Sequence, residues 1–128
     1  MADSAGERDR LAVLDARRGE VFAALYSSEG DRLWEPLVDA PDGLAERLRS
    51  RSVTPLGAGS GAIRFRHELA GGIEIPDDSD PVHRVSALHV CALGAAAAET
   101  ATGALEPIYL RPPDAERWRE RDTAKRSP

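Results

Sequence analysis

Two apolar runs of strand length, Leu11–Asp15 (LAVLD) and Glu20–Ser27 (EVFAALYS), are separated only by Ala16-Arg17-Arg18-Gly19. Four residues are too few for a crossover, so the two strands must be antiparallel neighbours joined by a tight turn. Gly19 is the turn residue free to take a positive φ. The second strand is apolar on both alternating sets, Val21, Ala23 and Leu25 against Phe22, Ala24 and Tyr26. A strand apolar on both sides is expected to be covered on both sides, as in the centre of an α/β sheet. Ser28–Asp31 is a second turn, and Arg32–Val38 (RLWEPLV) reads as a third strand. Pro36 cannot donate to a ladder, which puts that strand at an edge or gives it a bulge. The three form an antiparallel meander.

The period then changes. Pro41–Arg51 places Leu44, Ala45 and Leu48 on one helical face, and Pro41 suits a first turn. Ser52–Leu56 (SVTPL) reads as a short strand, followed by Gly57-Ala58-Gly59-Ser60-Gly61, a helical or irregular stretch to Leu69, and a short strand at Ala70–Ile75. Pro76–Pro81 is a loop. Val82–Glu99 reads as an Ala-rich helix with Val85, Leu88, Ala92 and Ala95 or Ala96 inward; Thr100–Ala104 ends it. Glu106–Arg111 (EPIYLR) is extended, and Pro112-Pro113 delays any helix. The charged tail from Asp114 is helical for a turn or two and frays toward Pro128. A meander followed by alternating helix and strand is the order of the RNase H-like α/β half-domain repeated in actin-like ATPases. In that reading parallel strand pairing extends the meander and helices cover the faces. The bounds are a flexible lead-in over 1–10, the half-domain over 11–111 and a tail over 112–128.

Composition narrows the function. A net charge of −5 argues against a face that binds bare nucleic acid, which needs clustered Lys and Arg. Apolar residues at 41% can build a core, and 128 residues make one ordinary domain. One cysteine, Cys91, excludes an internal disulfide and fits a reducing cytosol; it reads as a buried, inert thiol. No run of about 18 apolar residues is present to span a membrane, and the polar Met1–Arg10 has no signal-peptide core. A cytoplasmic protein is expected.

Few residues suggest chemistry. Asp15 and Glu20 flank the first turn, with Arg17 and Arg18 at its tip and Gly19 behind them. Such a turn can face phosphates, with Asp15 holding a metal-bound water; on pattern alone a solvated hairpin with charged decoration is the better explanation. Gly57 and Gly59 open a loop whose amides can cradle an anion, but the loop lacks the lysine of a GxxxxGKS motif. His67, His83 and His89 lack metal-ligand spacing and read as surface or satisfied histidines, so no metal is expected. Asp77, Asp78 and Asp80 read as a polar loop, one of them favouring the next helix start. No serine lies in a GxSxG context, and Trp34 and Trp118 give no stacking platform.

Several segments, in order, resemble the TsaB family. Leu14–Phe22 is similar to the family's IDAR-x-GEVY, with Glu20 inside it. Leu56-Gly57-Ala58-Gly59 resembles a strand ending in a VGxG-like turn. Asp80–Ala87 resembles the lead into an Ala-rich helix. Glu106–Arg111, with Pro107, Tyr109, Leu110 and Arg111, resembles EPVYLR. The resemblance spans roughly Leu11–Arg111. It implies a non-catalytic, degenerate scaffold subunit in making threonylcarbamoyladenosine (t6A) in tRNA, with TsaD and TsaE as partners. Family members also carry an N-terminal half with IDTS-like and GPGSFTG-like motifs. Neither occurs here, so the chain is expected to be the second half without the first. No cofactor is expected for it alone; ATP or ADP with magnesium would need the other wall of the cleft. The alternatives are an actin-like ATPase half-domain and a fragment without activity of its own. A protease is disfavoured, for want of a nucleophile or ligand set. Self-association as a homodimer is the other pairing left open.

Overall fold

The computed structural model describes residues 8–52, 54–97 and 106–126. Its strands are β1 (Arg10–Arg17), β2 (Glu20–Tyr26), β3 (Leu37–Asp39) and β4 (Leu56–Ala58); its helices are α1 (Pro41–Arg49), α2 (Ser60–Arg64), α3 (Arg66–Leu69), α4 (Ala87–Ala96) and α5 (Asp114–Arg126), with a 3-10 turn at Pro81–His83. The sheet order is β3-β2-β1-β4. β1–β2 and β2–β3 are antiparallel and β4 runs parallel to β1. The meander extended by a parallel strand is therefore as expected, with β2 inside the sheet.

One face of the sheet carries the core. Leu11 and Val13 of β1 and Val21, Ala23 and Leu25 of β2 pack against Leu44, Ala45 and Leu48 of α1, Ala62 of α2, Leu69 of α3 and Ile73. α1 forms as its spacing predicts, and Arg47 and Arg49 in its last turn suit the helix dipole. Leu44 is fully buried, so Leu44→Ala is expected to cost roughly 2–5 kcal/mol in chemical denaturation.

Several boundaries differ from expectation. The lead-in is ordered by residue 8: Arg8 pairs with Glu74, Asp9 with Arg51 at 2.6 Å, and Arg10 already lies in β1. The third strand is not Arg32–Val38. The amides of Leu33 and Trp34 both donate to Leu25 O, and pairing resumes only after Pro36, which has no N–H to give. The fourth strand is displaced from Ser52–Leu56 into Leu56–Ala58, because the glycine there lets it lie close to its neighbours; Val53 lies outside the described residues. Ala70–Ile75 makes only isolated bridges, Ala70 with Ile73 and Glu74 with Leu56.

Among the described residues no helix lines the second face of the sheet: Ala12, Leu14, Phe22, Ala24 and Tyr26 border grooves shared with Pro36, with the 82–85 segment and with Ile108 and Leu110. The Ala-rich helix begins at Ala87 rather than Val82, since Asp80 caps a 3-10 turn first by accepting from the Val82 amide at 2.9 Å. Its expected inner face is not inward: Val85 is 81% and Leu88 77% exposed, and Cys91 is exposed rather than buried. The expected helix end at Glu99 and the break at 100–104 lie outside the described residues. α5 runs 13 residues, longer than a turn or two. Acidic Asp114 and Glu116 at its start and Lys125 and Arg126 at its end suit the dipole along its whole length.

Candidate functional site

The β1–β2 turn carries the positive-φ non-glycine residues found among the described residues. Arg17, Arg18 and Gly19 have φ of 61°, 58° and 76°. Positive φ at both central residues is what a two-residue hairpin needs to follow the strand twist. Gly19 adopts it freely, whereas each arginine incurs roughly 1–2 kcal/mol. A bulge between Asp15 and Arg17 admits the buried Ala16. Asp15 steadies the bulge, its Oδ1 accepting from the Arg17 amide at 2.9 Å.

Asp15 is also tied to α2. Its Oδ2 accepts from Arg64 at 2.7 Å, and its amide donates to Ser60 Oγ at 3.0 Å. The Arg64 guanidinium, then the Arg17 amide, hold the Asp15 carboxyl below the usual carboxylate range. A lowered folded-state pKa gives stability that is present above the unfolded value, about 3.9, and is lost as pH falls through the folded one. Asp15→Asn is thus expected to flatten the acid limb of an unfolding titration below about pH 4 and leave its neutral limb parallel to wild type.

Gly57 and Gly59 lie away from the tip of this turn, Gly57 opposite Leu11 near the start of β1 and Gly59 beside Val13, and packing explains them. A Cβ on Gly57 would lie 1.8 Å from Ile73 Cδ1, and one on Gly59 2.3 Å from Val13 O. Their amides are engaged: Gly57 donates to Glu74 O at 2.8 Å and Gly59 to His83 Nδ1 at 3.2 Å. His83 Nδ1 therefore accepts, so Nε2 carries the proton and donates to Pro76 O at 3.0 Å. Both ring nitrogens are held by backbone, and neither is left to activate Ser60. The side chain stitches the Gly59 turn to the 76–83 loop. His83→Ala is expected to lower stability by about 1–2 kcal/mol and speed amide exchange at Gly59.

The most informative contact joins the hairpin to a segment over 90 residues away. Arg111 donates to Glu20 Oε1 at 3.1 Å and to the Ala16 carbonyl, and its guanidinium lies 5.5 Å from the Phe22 ring centroid. Arg117 adds a second cation 3.7 Å from Glu20, and Arg18 meets Asp114 at 2.5 Å. The hairpin is thereby clasped by residues on both sides of Pro112-Pro113. Leu110 is half-buried beside it, while Pro107 and Tyr109 are exposed. No local spacing marks Arg64, Ser60, Asp114 or Arg117 for these roles, because the contacts are long-range; His83 is the satisfied histidine the sequence suggests.

The other motifs stay apart. His67 and His89 are exposed, and Asp78 pairs with Arg66 at 2.6 Å. Among the described residues no three His, Cys, Asp or Glu side chains cluster as a metal site, and no helix is long and apolar enough to cross a membrane.

No protein-family model matches the chain, and no curated protein does. Solved structures do. A Pseudomonas aeruginosa protein described as uncharacterized, with similarity to the peptidase YeaZ, superposes with TM-score 0.60 and 24% identity over 83% of this chain and 50% of that one. YeaZ from Pseudomonas aeruginosa gives 0.47 and 21%, over 71% and 43%. The chain thus spans about half the length of the solved proteins it resembles. The first likeness shows the fold: an open mixed sheet of the actin-like, RNase H-like kind.

Proposed function

We propose that this chain is a non-catalytic scaffold half in the assembly that makes t6A in tRNA, of the TsaB kind (YeaZ is the same protein). One observation carries the reading. The two segments that most resemble the family, Leu14–Phe22 and Glu106–Arg111, meet through Arg111, Glu20, the Ala16 carbonyl and Phe22. Two signatures that meet as one clasp are a structural unit, and a unit built from paired side chains supports a scaffold.

The side chains support a non-catalytic role. Asp15 is bound to Arg64 and to the Arg17 amide, and the Gly57 and Gly59 amides are engaged. A metal-bound water or a phosphate would have to displace these contacts. Nucleotide with magnesium then requires a second wall, since a ligand on one wall alone remains largely wet. The peptidase description of the similar structure gains no support from His83, whose ring faces backbone on both sides. TsaD and TsaE are the partners this reading implies, and the cytoplasm, where tRNA is modified, is its place.

Affinity capture with TsaD and TsaE homologues tests it, using the chain alone and fused to an N-terminal half. Capture by the fused form is expected; failure of the fused form sinks the scaffold reading. Calorimetry with millimolar ATP and magnesium separates it from the ATPase alternative, for which the chain alone must bind.

A further inference from the structure

Residues four apart on a helix rise about 6 Å and share a face. In α5 that relation joins Arg117, Arg121 and Lys125. Trp118 lies on the same face, three residues before Arg121 and seven before Lys125. Arg121 and Lys125 are exposed, and the tryptophan is 58% exposed. Like charges at this spacing repel and weaken a helix, and the helix dipole accounts for Lys125 but not for Arg121. Among the described residues Arg121 and Lys125 have no ion-pair partner. The stripe runs on into the β1–β2 hairpin. The carboxylates at its base are already matched, Glu20 by Arg111 and Arg117 and Asp114 by Arg18. Arg17 is exposed at the tip beside them. Glu120 and Asp122 border the stripe, and Glu116 lies on the other side of the helix. Cations are therefore in local excess in a chain whose net charge is −5.

We propose that this face of α5 is an RNA-binding surface. Arg121 and Lys125, continued by Arg117 and Arg17, contact backbone phosphates, and Trp118 stacks on an unpaired base. Net charge is an average over the chain, whereas phosphate contacts depend on local clustering of Lys and Arg. The guanidinium fork suits phosphate geometry. Trp34 packs on the core, so the two tryptophans form no platform together; Trp118 offers a single indole face among cations. One exposed ring with flanking cations suits single strands and loops, whose bases are free to stack whatever their sequence. An anionic membrane is the other polyanion that attracts a basic helix. It also requires an apolar face to lie in the interface, and α5 has only Ala115, Trp118 and Ala124 as apolar residues. This inference does not depend on the scaffold reading. Its probe is RNA alone, so its failure leaves the capture by TsaD and TsaE homologues untouched.

Fluorescence anisotropy of a labelled single-stranded RNA of 20 nucleotides, titrated with the full chain, tests it. Micromolar binding is expected at 50 mM salt, weakened roughly twentyfold at 200 mM, the drop that about three phosphate contacts on a single strand produce. Arg121→Glu/Lys125→Glu is expected to weaken binding at least tenfold and to flatten its salt dependence. Trp118→Ala is expected to weaken it about fivefold or more with the salt dependence unchanged. Arg119→Glu/Arg126→Glu reverses the same number of charges on the other side of α5 and is expected to change affinity less than threefold. None of these side chains belongs to the core, so far-UV circular dichroism and the thermal midpoint serve as folding controls. No RNA binding at 100 micromolar chain, equal losses in the two charge-reversal variants, or wild-type affinity in Trp118→Ala each overturns the proposal, as does binding to phosphatidylserine vesicles without binding to RNA.

Discussion

Gly59→Ala is expected to cost at least about 3 kcal/mol and to leave the domain largely unfolded at temperatures where wild type is folded. Two effects add. Gly59 sits at φ 121°, which an L side chain rarely adopts, and its new Cβ would stand 2.3 Å from the Val13 carbonyl oxygen. That oxygen belongs to the middle of β1 and cannot retreat without breaking the sheet. Thermal unfolding followed by circular dichroism measures the effect. A Gly57→Ala control meets the flexible end of Ile73 instead and is expected to cost less. An unaltered Gly59→Ala midpoint would mean that the 57–61 turn does not pack against β1 and that its glycines serve a ligand instead.

Arg111→Ala is expected to release the C-terminal segment while the core stays folded. The lost contacts are a charged hydrogen bond to Glu20, one to the Ala16 carbonyl and the stacking on Phe22, together on the order of 2–3 kcal/mol of local stability. Hydrogen exchange should rise by roughly thirtyfold or more over 111–117, with little change in β1 and β2 interior amides. Arg111→Lys should not rescue, because an ammonium lacks the planar fork that reaches carboxylate and carbonyl together. Exchange unchanged in Arg111→Ala would show that the clasp is not held by this side chain.

The parts of the fold legible in the sequence are those with local causes. The β1–β2 hairpin follows from two alternating runs and four intervening residues, and α1 from Leu44, Ala45 and Leu48 at helical spacing. β4 lies a few residues beyond where the sequence points because glycine reads as loop, whereas here it admits close packing beside Ile73. The inward face that the sequence suggests for α4 is exposed for a different reason. A helix apolar all round gives no direction, so periodicity cannot tell what it meets. The candidate site was half legible: Asp15, Arg17, Arg18 and Gly19 mark the turn. Their partners Arg64, Arg111, Asp114 and Arg117 come from distant segments and leave no local pattern.

The clasp between hairpin and C-terminal segment is the physical basis of the scaffold account, and reconstituted modification of tRNA tests that account most directly. The assay supplies tRNA, ATP, the other components of the modification, TsaD and TsaE, and measures t6A by mass spectrometry. The account predicts that t6A appears when this chain is added fused to an N-terminal half, and that Arg111→Ala in the fusion lowers the yield severalfold. Formation of t6A by this chain without TsaD would contradict the scaffold role, as would a reaction indifferent to the fusion.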